Sequence, residues 1–297
     1  MKAIFPVIAL FICQSIYAAV ETGSYTGTDS IKLRFLIGIP NQPSQKVFIY
    51  IQGDGQGCTP FPLAQARQAM EYYSHVSSGY WIFPETAKEA LCESGLYKTL
   101  DFYHRVTELK NLVATIRNDP PFSNSQIYLV GHSAGTDLSA RAAVIINNVS
   151  GIVLISGGEL PLETMIYQKT LIDGYRANRT EADIQKDIRE VQELAKTVKA
   201  NCSMDQHDWG DRCNLFWCQM FTSTLEQDAL NASNTMKVLL VHGLKDDIVP
   251  VEGTFSLYSK LISKKAKVRL KIYQDMDHNF APKIHDLISI INEWSKS

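Results

Sequence analysis

The sequence predicts an α/β fold: a mostly parallel central sheet with helices on both faces, interrupted by one helical insertion. Three observations carry that reading. From about residue 30 onward, short apolar strands alternate with helical stretches. The segments IYLV (127–130) and VLLV (238–241) are unbroken apolar runs, as expected of strands buried on both faces. Between residues 156 and 236 the rhythm stops, and no strand pattern interrupts a helical stretch.

The elements follow in order. Residues 31–39 and 46–52 read as strands joined by the proline-bearing turn IPNQPS. A helix is expected over 62–75, a short strand at YWIFP (80–84), and a long helix over 96–116 that NDPP (118–121) stops. Next come a strand at 126–130, a helix to about 147 and a strand at 151–156. The last strands lie at 236–241 and 268–273. In the closing helix Ile284, Leu287, Ile288, Ile291 and Trp294 share one face, which must pack on the sheet. The insertion spans 159–235. Its main helix, over 180–199, opens at Thr180-x-x-Asp183 and aligns Ile184, Ile188, Val191, Ala195 and Val198. The core is therefore 19–158 plus 236–297.

Composition bounds the function. The chain has 297 residues, 45% hydrophobic and 20% charged, which suits one large α/β domain with an insertion. A net charge of −2 gives no overall basicity for nucleic acid. The basic cluster Lys260, Lys264, Lys265, Lys267, Arg269 and Lys271 reads as a solvated edge, with a binding patch as the alternative. Residues 1–18 resemble a signal peptide: Lys2, an apolar core, then Ala18 at the cut. An uncleaved anchor is the alternative; after cleavage no segment of spanning length remains. The protein is expected to be secreted or periplasmic. Five cysteines then remain, enough for two bridges and one free thiol in an oxidising compartment. Cys58 and Cys92 would each follow a core strand at the same sheet end. One local bridge is expected among Cys202, Cys213 and Cys218. No cysteine or histidine set has metal-ligand spacing, so neither a metal nor another cofactor is expected.

One stretch carries chemistry. In QIYLVGHSAGTDLSARAAV (126–144) an apolar strand ends at Gly131 and an Ala-rich helix starts three residues later, with Ser133 between them. A serine on so sharp a bend projects its hydroxyl above the sheet end, where it can attack an acyl carbon. The bend brings strand and helix close together, so positions −2 and +2 need residues without a side chain. Gly131 and Gly135 meet that need. The helix aims its first amides at the bend, and the N–H of Ala134 can donate to an oxyanion forming there.

GHSAG in this context resembles the nucleophile elbow of the α/β-hydrolase family. The family's order is Ser, acid, His. VHGLKDDIVP (241–250) resembles its HGxxDxxVP segment, which implies Asp246 as the acid, with the neighbouring Asp247 as competitor. The last strand runs into QDMDHNF (274–280), so His278 stands where the family keeps its base. His132 and His242 are read as packing or hydrogen-bonding residues. FIYIQGDGQGC (48–58) has Gln52-Gly53 where relatives often show His-Gly. The resemblance implies that the backbone N–H of Asp54, or else Gly55, is the second oxyanion donor. A nucleotide loop does not fit there, since neither GxGxxG nor GK[ST] is present.

The resemblance implies acyl-enzyme chemistry on a small or lipid-like acyl substrate, with carboxylic ester hydrolysis first and peptide or amide hydrolysis second. A non-catalytic binding protein on the same scaffold is the rival class. The insertion lies where the family places lids. Its Phe216, Trp217 and Phe221 either line an acyl pocket or pack the insertion on the core.

Overall fold

Each apolar run named above becomes a strand. The computed structural model describes residues 19–53, 58–158, 160–222, 224–280 and 283–297. Its strands are β1 (Val20–Thr26), β2 (Lys32–Gly38), β3 (Lys46–Ile51), β4 (Tyr80–Pro84), β5 (Gln126–His132), β6 (Val149–Ile155), β7 (Lys237–Gly243) and β8 (Val268–Tyr273). They form one sheet in the order β1-β2-β4-β3-β5-β6-β7-β8. β2 runs antiparallel to both β1 and β4, and every other pair is parallel. The helices are α1 (Leu63–Val76), α2 (Ala87–Ala90), α3 (His104–Asn118), α4 (Gly135–Ile145), α5 (Leu162–Arg176), α6 (Glu181–Ala200), α7 (Asn214–Phe221), α8 (Leu225–Ala232), α9 (Val251–Ser263) and α10 (Ile284–Lys296).

Alternation along the strands builds two cores. Val47, Ile49, Ile127, Leu129, Ile152, Leu154, Val238 and Leu240 face one side, under Leu112 of α3, Leu138 of α4 and Leu257 of α9. Phe48, Tyr128, Val130, Val153, Ile155, Leu239 and Val241 face the other side. There Met70 of α1 and Leu287, Ile291 and Trp294 of α10 cover them. Both faces of the parallel strands are buried, which explains why their sequences read as solid apolar runs.

Two elements depart from expectation. β1 was not legible, because VETGSYT is mostly polar and only Tyr25 of it is buried. It forms as an edge strand through its seven-residue pairing with β2. The helix expected over 96–116 is broken into a 3₁₀ turn at Leu96–Thr99 and α3. Tertiary hydrogen bonds cause the break. The amides of Phe102 and Tyr103 donate to Gln219 Oε1 (2.7 and 3.1 Å), and Arg212 donates to the Leu100 carbonyl (3.1 Å).

Disulfides join Cys58 to Cys92 and Cys202 to Cys218, while Cys213 is a buried free thiol. The second bridge ties the end of α6 to α7. Among the described residues no helix is long and apolar enough to cross a membrane. The leader read at 1–18 lies outside the described residues.

Candidate active site

The parallel strands end together, with Ile51 beside Gly131, His132 beside Ile155, and Gly243 beside Tyr273. The segments that leave these carboxyl ends carry Ser133 after β5, Asp246 after β7 and His278 after β8, the usual place for a site in such a sheet. At the end of β5 Ser133 has φ +54°, the left-handed region that costs a non-glycine residue. The strain is held by hydrogen bonds: Ser133 N–H donates to Ile155 O (2.9 Å), and Thr136 N–H donates to Ser133 O (2.9 Å).

The two elbow glycines are needed for space. A Cβ on Gly131 would lie 2.3 Å from the Gly135 carbonyl oxygen, and one on Gly135 would lie 2.1 Å from the Ile51 carbonyl oxygen. Both clashes are with backbone, which cannot swing away. Gly135→Ala is expected to cost about 3 kcal/mol, read as a lower urea midpoint with an unchanged slope. A variant as stable as wild type would mean that β3 and α4 can separate freely.

Asp246 and His278 meet. His278 Nδ1 lies 3.0 and 2.9 Å from the two Asp246 carboxylate oxygens, and it donates to them. The Asp246 side chain is fully buried, and its Oδ1 also accepts the amides of Ile248 (3.0 Å) and Val249 (2.9 Å). Burial opposes ionisation, but hydrogen bonds from His242, His278 and the Val249 amide outweigh it. Together they hold the carboxyl well below the usual carboxylate range. Asp247, by contrast, is exposed and paired with Arg176 (3.1 Å).

Two histidines read from sequence as supporting residues have defined tasks. His132 Nε2–H donates to the His278 carbonyl (2.8 Å), and the two rings lie 4.9 Å apart. The residue before Ser133 thus holds the loop that carries His278. Burial lowers the pKa of His132, which suits a neutral ring in that role. His242 is fully buried behind Asp246. Thr254 Oγ1 donates to the Gly157 carbonyl (2.6 Å), so it accepts from His242 Nδ1–H (2.7 Å). His242 Nε2 faces the Val249 carbonyl at 2.9 Å and Asp246 Oδ2 at 3.2 Å.

Between Ser133 Oγ and His278 there is no hydrogen bond among the described residues. The His132 contact instead brings elbow and loop together. Such bonds are commonly long before substrate is bound. Beside Ser133 opens a cavity of about 310 Å³, walled by Leu162, Met165, Ile166, Trp217 and Met220. Of the three insertion aromatics, only Trp217 lines it; Phe216 and Phe221 pack in the core.

Asp54 and Gly55 lie outside the described residues, but the anchors of their loop do not. A Cβ on Gly53 would come 3.3 Å from Ser133 Oγ, so the loop starts against the hydroxyl. The Gln52 carbonyl accepts from Arg105 (2.9 Å), and the Gln52 amide donates to Glu89 (2.9 Å). Glu89 is fixed in turn by a capping box with Thr86. The Gln that replaces the relatives' His is therefore a tether.

The prolyl oligopeptidase family model (peptidase family S9) matches residues 219–294, the stretch that contains Asp246 and His278. No curated protein matches the sequence. A carboxyl esterase from Bacillus coagulans superposes with a TM-score of 0.63 at 14% identity, covering 93% of this chain and 98% of that one. The chain has the α/β-hydrolase fold. The resemblance first seen in GHSAG thus holds at the level of the whole fold. Acetyl xylan esterase 1 from a Thermoanaerobacterium species gives a TM-score of 0.57 at 13% identity, covering 95% and 84%. Acylaminoacyl peptidase from Pyrococcus horikoshii gives 0.60 at 12% identity, covering 95% of this chain. This α/β-hydrolase chain spans only 42% of that peptidase.

Proposed function

We propose that this protein is an exported serine hydrolase that cleaves carboxylic esters through an acyl-enzyme on Ser133. The observation that carries the reading is the Asp246–His278 pair, joined at 2.9 Å and held by His132 against a strained serine elbow. His278 takes the Ser133 proton as the oxygen attacks the acyl carbon. Asp246 holds the imidazole with its hydrogen on Nδ1 and stabilises the cation that forms. The amides of Ala134 and of the loop after Gly53 receive the oxyanion, and the alcohol leaves with the proton from His278. Water, activated by the same ring, then releases the acid.

The apolar cavity beside Ser133 supports an acyl substrate, with α5 to α8 acting as the lid over it. Two disulfides support an oxidising compartment, and so export. Peptide hydrolysis is the second reading, favoured by the prolyl oligopeptidase match over 219–294. A fluorophosphonate probe should label the wild-type protein covalently. Folded protein that stays unlabelled would leave only a binding role. Run side by side, p-nitrophenyl esters and aminoacyl p-nitroanilides then separate the two hydrolase readings: faster turnover of the anilides would make this a peptidase.

A further inference from the structure

Ser133 has a neighbour of the same kind. β5 and β6 run parallel with His132 beside Ile155, and the Ser133 amide donates to the Ile155 carbonyl (2.9 Å). That bond makes Ser133 and Ser156 the next pair in register, on strands about 4.8 Å apart. Ser156 also lies in the left-handed region, at φ +50°, and it lines the cavity that opens beside Ser133. Two adjacent strands thus each end in a strained serine at one cavity.

A serine at 156 carries two costs that a glycine would avoid. Glycine adopts this backbone conformation without penalty. Here the surroundings impose it: the Ser156 amide donates to the Val241 carbonyl (2.9 Å), and the Gly157 carbonyl accepts from Thr254 Oγ1 (2.6 Å). The second cost is the hydroxyl. Ser156 is fully buried, and among the described residues nothing hydrogen-bonds to its Oγ. Polar side chains around the same cavity are engaged elsewhere. Thr136 Oγ1 donates to the Ser133 carbonyl (2.6 Å), Lys169 pairs with Asp173 (2.9 Å), and Asp137 has a partner of its own. Strain and an unpaired buried hydroxyl, one strand from the nucleophile, mark a group kept for a ligand.

We propose that Ser156 sets acyl specificity, its hydroxyl forming a hydrogen bond with a hydroxyl on the second or third carbon of the acyl group. The inference rests on the serine-hydrolase reading above. The position follows from the register: an acyl carbon joined to Ser133 Oγ brings its next one or two carbons within reach of a group one strand away. Serine turns its hydroxyl about a single bond, so it meets the ligand without backbone movement. A substrate hydroxyl both donates and accepts, and so pairs with Ser156 whichever supplies the hydrogen. The apolar wall of Leu162, Met165 and Ile166 takes the rest of the chain. A plain acyl group would leave the Ser156 hydroxyl buried and unpaired in the complex, and that difference creates the preference.

The test compares p-nitrophenyl esters of butyric, 2-hydroxybutyric and 3-hydroxybutyric acid on the full chain. Each kcat/KM is divided by the rate constant of the same ester with hydroxide, which removes the substituent's effect on reactivity. On that scale one of the hydroxy esters should exceed the butyrate by about 10-fold. In Ser156→Ala the advantage should vanish while the urea midpoint stays level or rises, because alanine keeps the Cβ and removes the unpaired hydroxyl. Ser156→Gly should lose the advantage too, with a higher midpoint as the strain is released. A preference lost together with stability would make Ser156 a structural residue and overturn the inference. So would a wild type that favours neither hydroxy ester, or a preference that survives Ser156→Ala. A wild-type protein that does not take up the fluorophosphonate probe would instead overturn the hydrolase reading itself.

Discussion

Ser133→Ala should lower kcat by about 10⁶-fold, close to the value expected when a whole catalytic triad is removed. His278→Ala and the double variant should reach nearly the same floor, because the hydroxyl without its base, or the base without its hydroxyl, cannot deliver an alkoxide. Losses that added up between the two would mean that the residues act separately. The residual rate belongs to the oxyanion amides and to substrate binding. Stability should change little in Ser133→Ala. The strain at φ +54° is imposed by neighbouring hydrogen bonds from the backbone, and alanine places the same Cβ there. Burst titration with a p-nitrophenyl ester, together with the thermal midpoint of each variant, checks the point. A Ser133→Ala protein that keeps more than about one part in a hundred of the activity would remove Ser133 from the chemistry.

How much of this the sequence revealed depends on the range of the interaction. The elbow was legible because its demands are local: an apolar strand, a serine, and two positions where any Cβ would strike backbone within the same turn or on β3. Asp246 and His278 were reachable because the loops that carry them leave strand ends whose apolar runs are unmistakable. β1 was not, since its seven residues gain order from pairing with β2 and hardly from burial of their own side chains. The break before α3 was hidden for a similar reason: Gln219 and Arg212, more than a hundred residues away, take the hydrogen bonds a continuous helix would have used. The supporting histidines show the same limit. A sequence places His132 beside the serine and His242 at a strand end. Only the fold brings the first onto the His278 carbonyl and the second behind Asp246.

Asp246→Asn should reduce kcat by about 10⁴-fold, and Asp247→Asn by less than about twofold, although the two are neighbours in sequence. An asparagine at 246 can keep one oxygen for the Ile248 and Val249 amides, which accounts for one of the two carboxylate oxygens. The NH2 group then points to where His278 Nδ1–H now donates and towards His242 Nε2. A donor facing Nδ1 favours the tautomer with hydrogen on Nε2, the nitrogen that must accept from Ser133. His242 Nε2 is left in the core without the carboxylate it faced, so the variant should also be less stable, by about 1–3 kcal/mol. The fold depresses the Asp246 pKa, so the wild type's advantage is fully present above the carboxyl's unfolded value, about 4. It is lost only as pH falls through the still lower folded value, and urea midpoints of wild type and variant should draw together in acid. Asp247 has none of these contacts; its exposed pair with Arg176 contributes at most about 1 kcal/mol. Parallel kinetics on the two variants, with the Nδ1 proton of His278 followed by NMR, decide the matter. Equal losses, or a His278 Nδ1 proton that survives in Asp246→Asn, would take the acid's role away from Asp246.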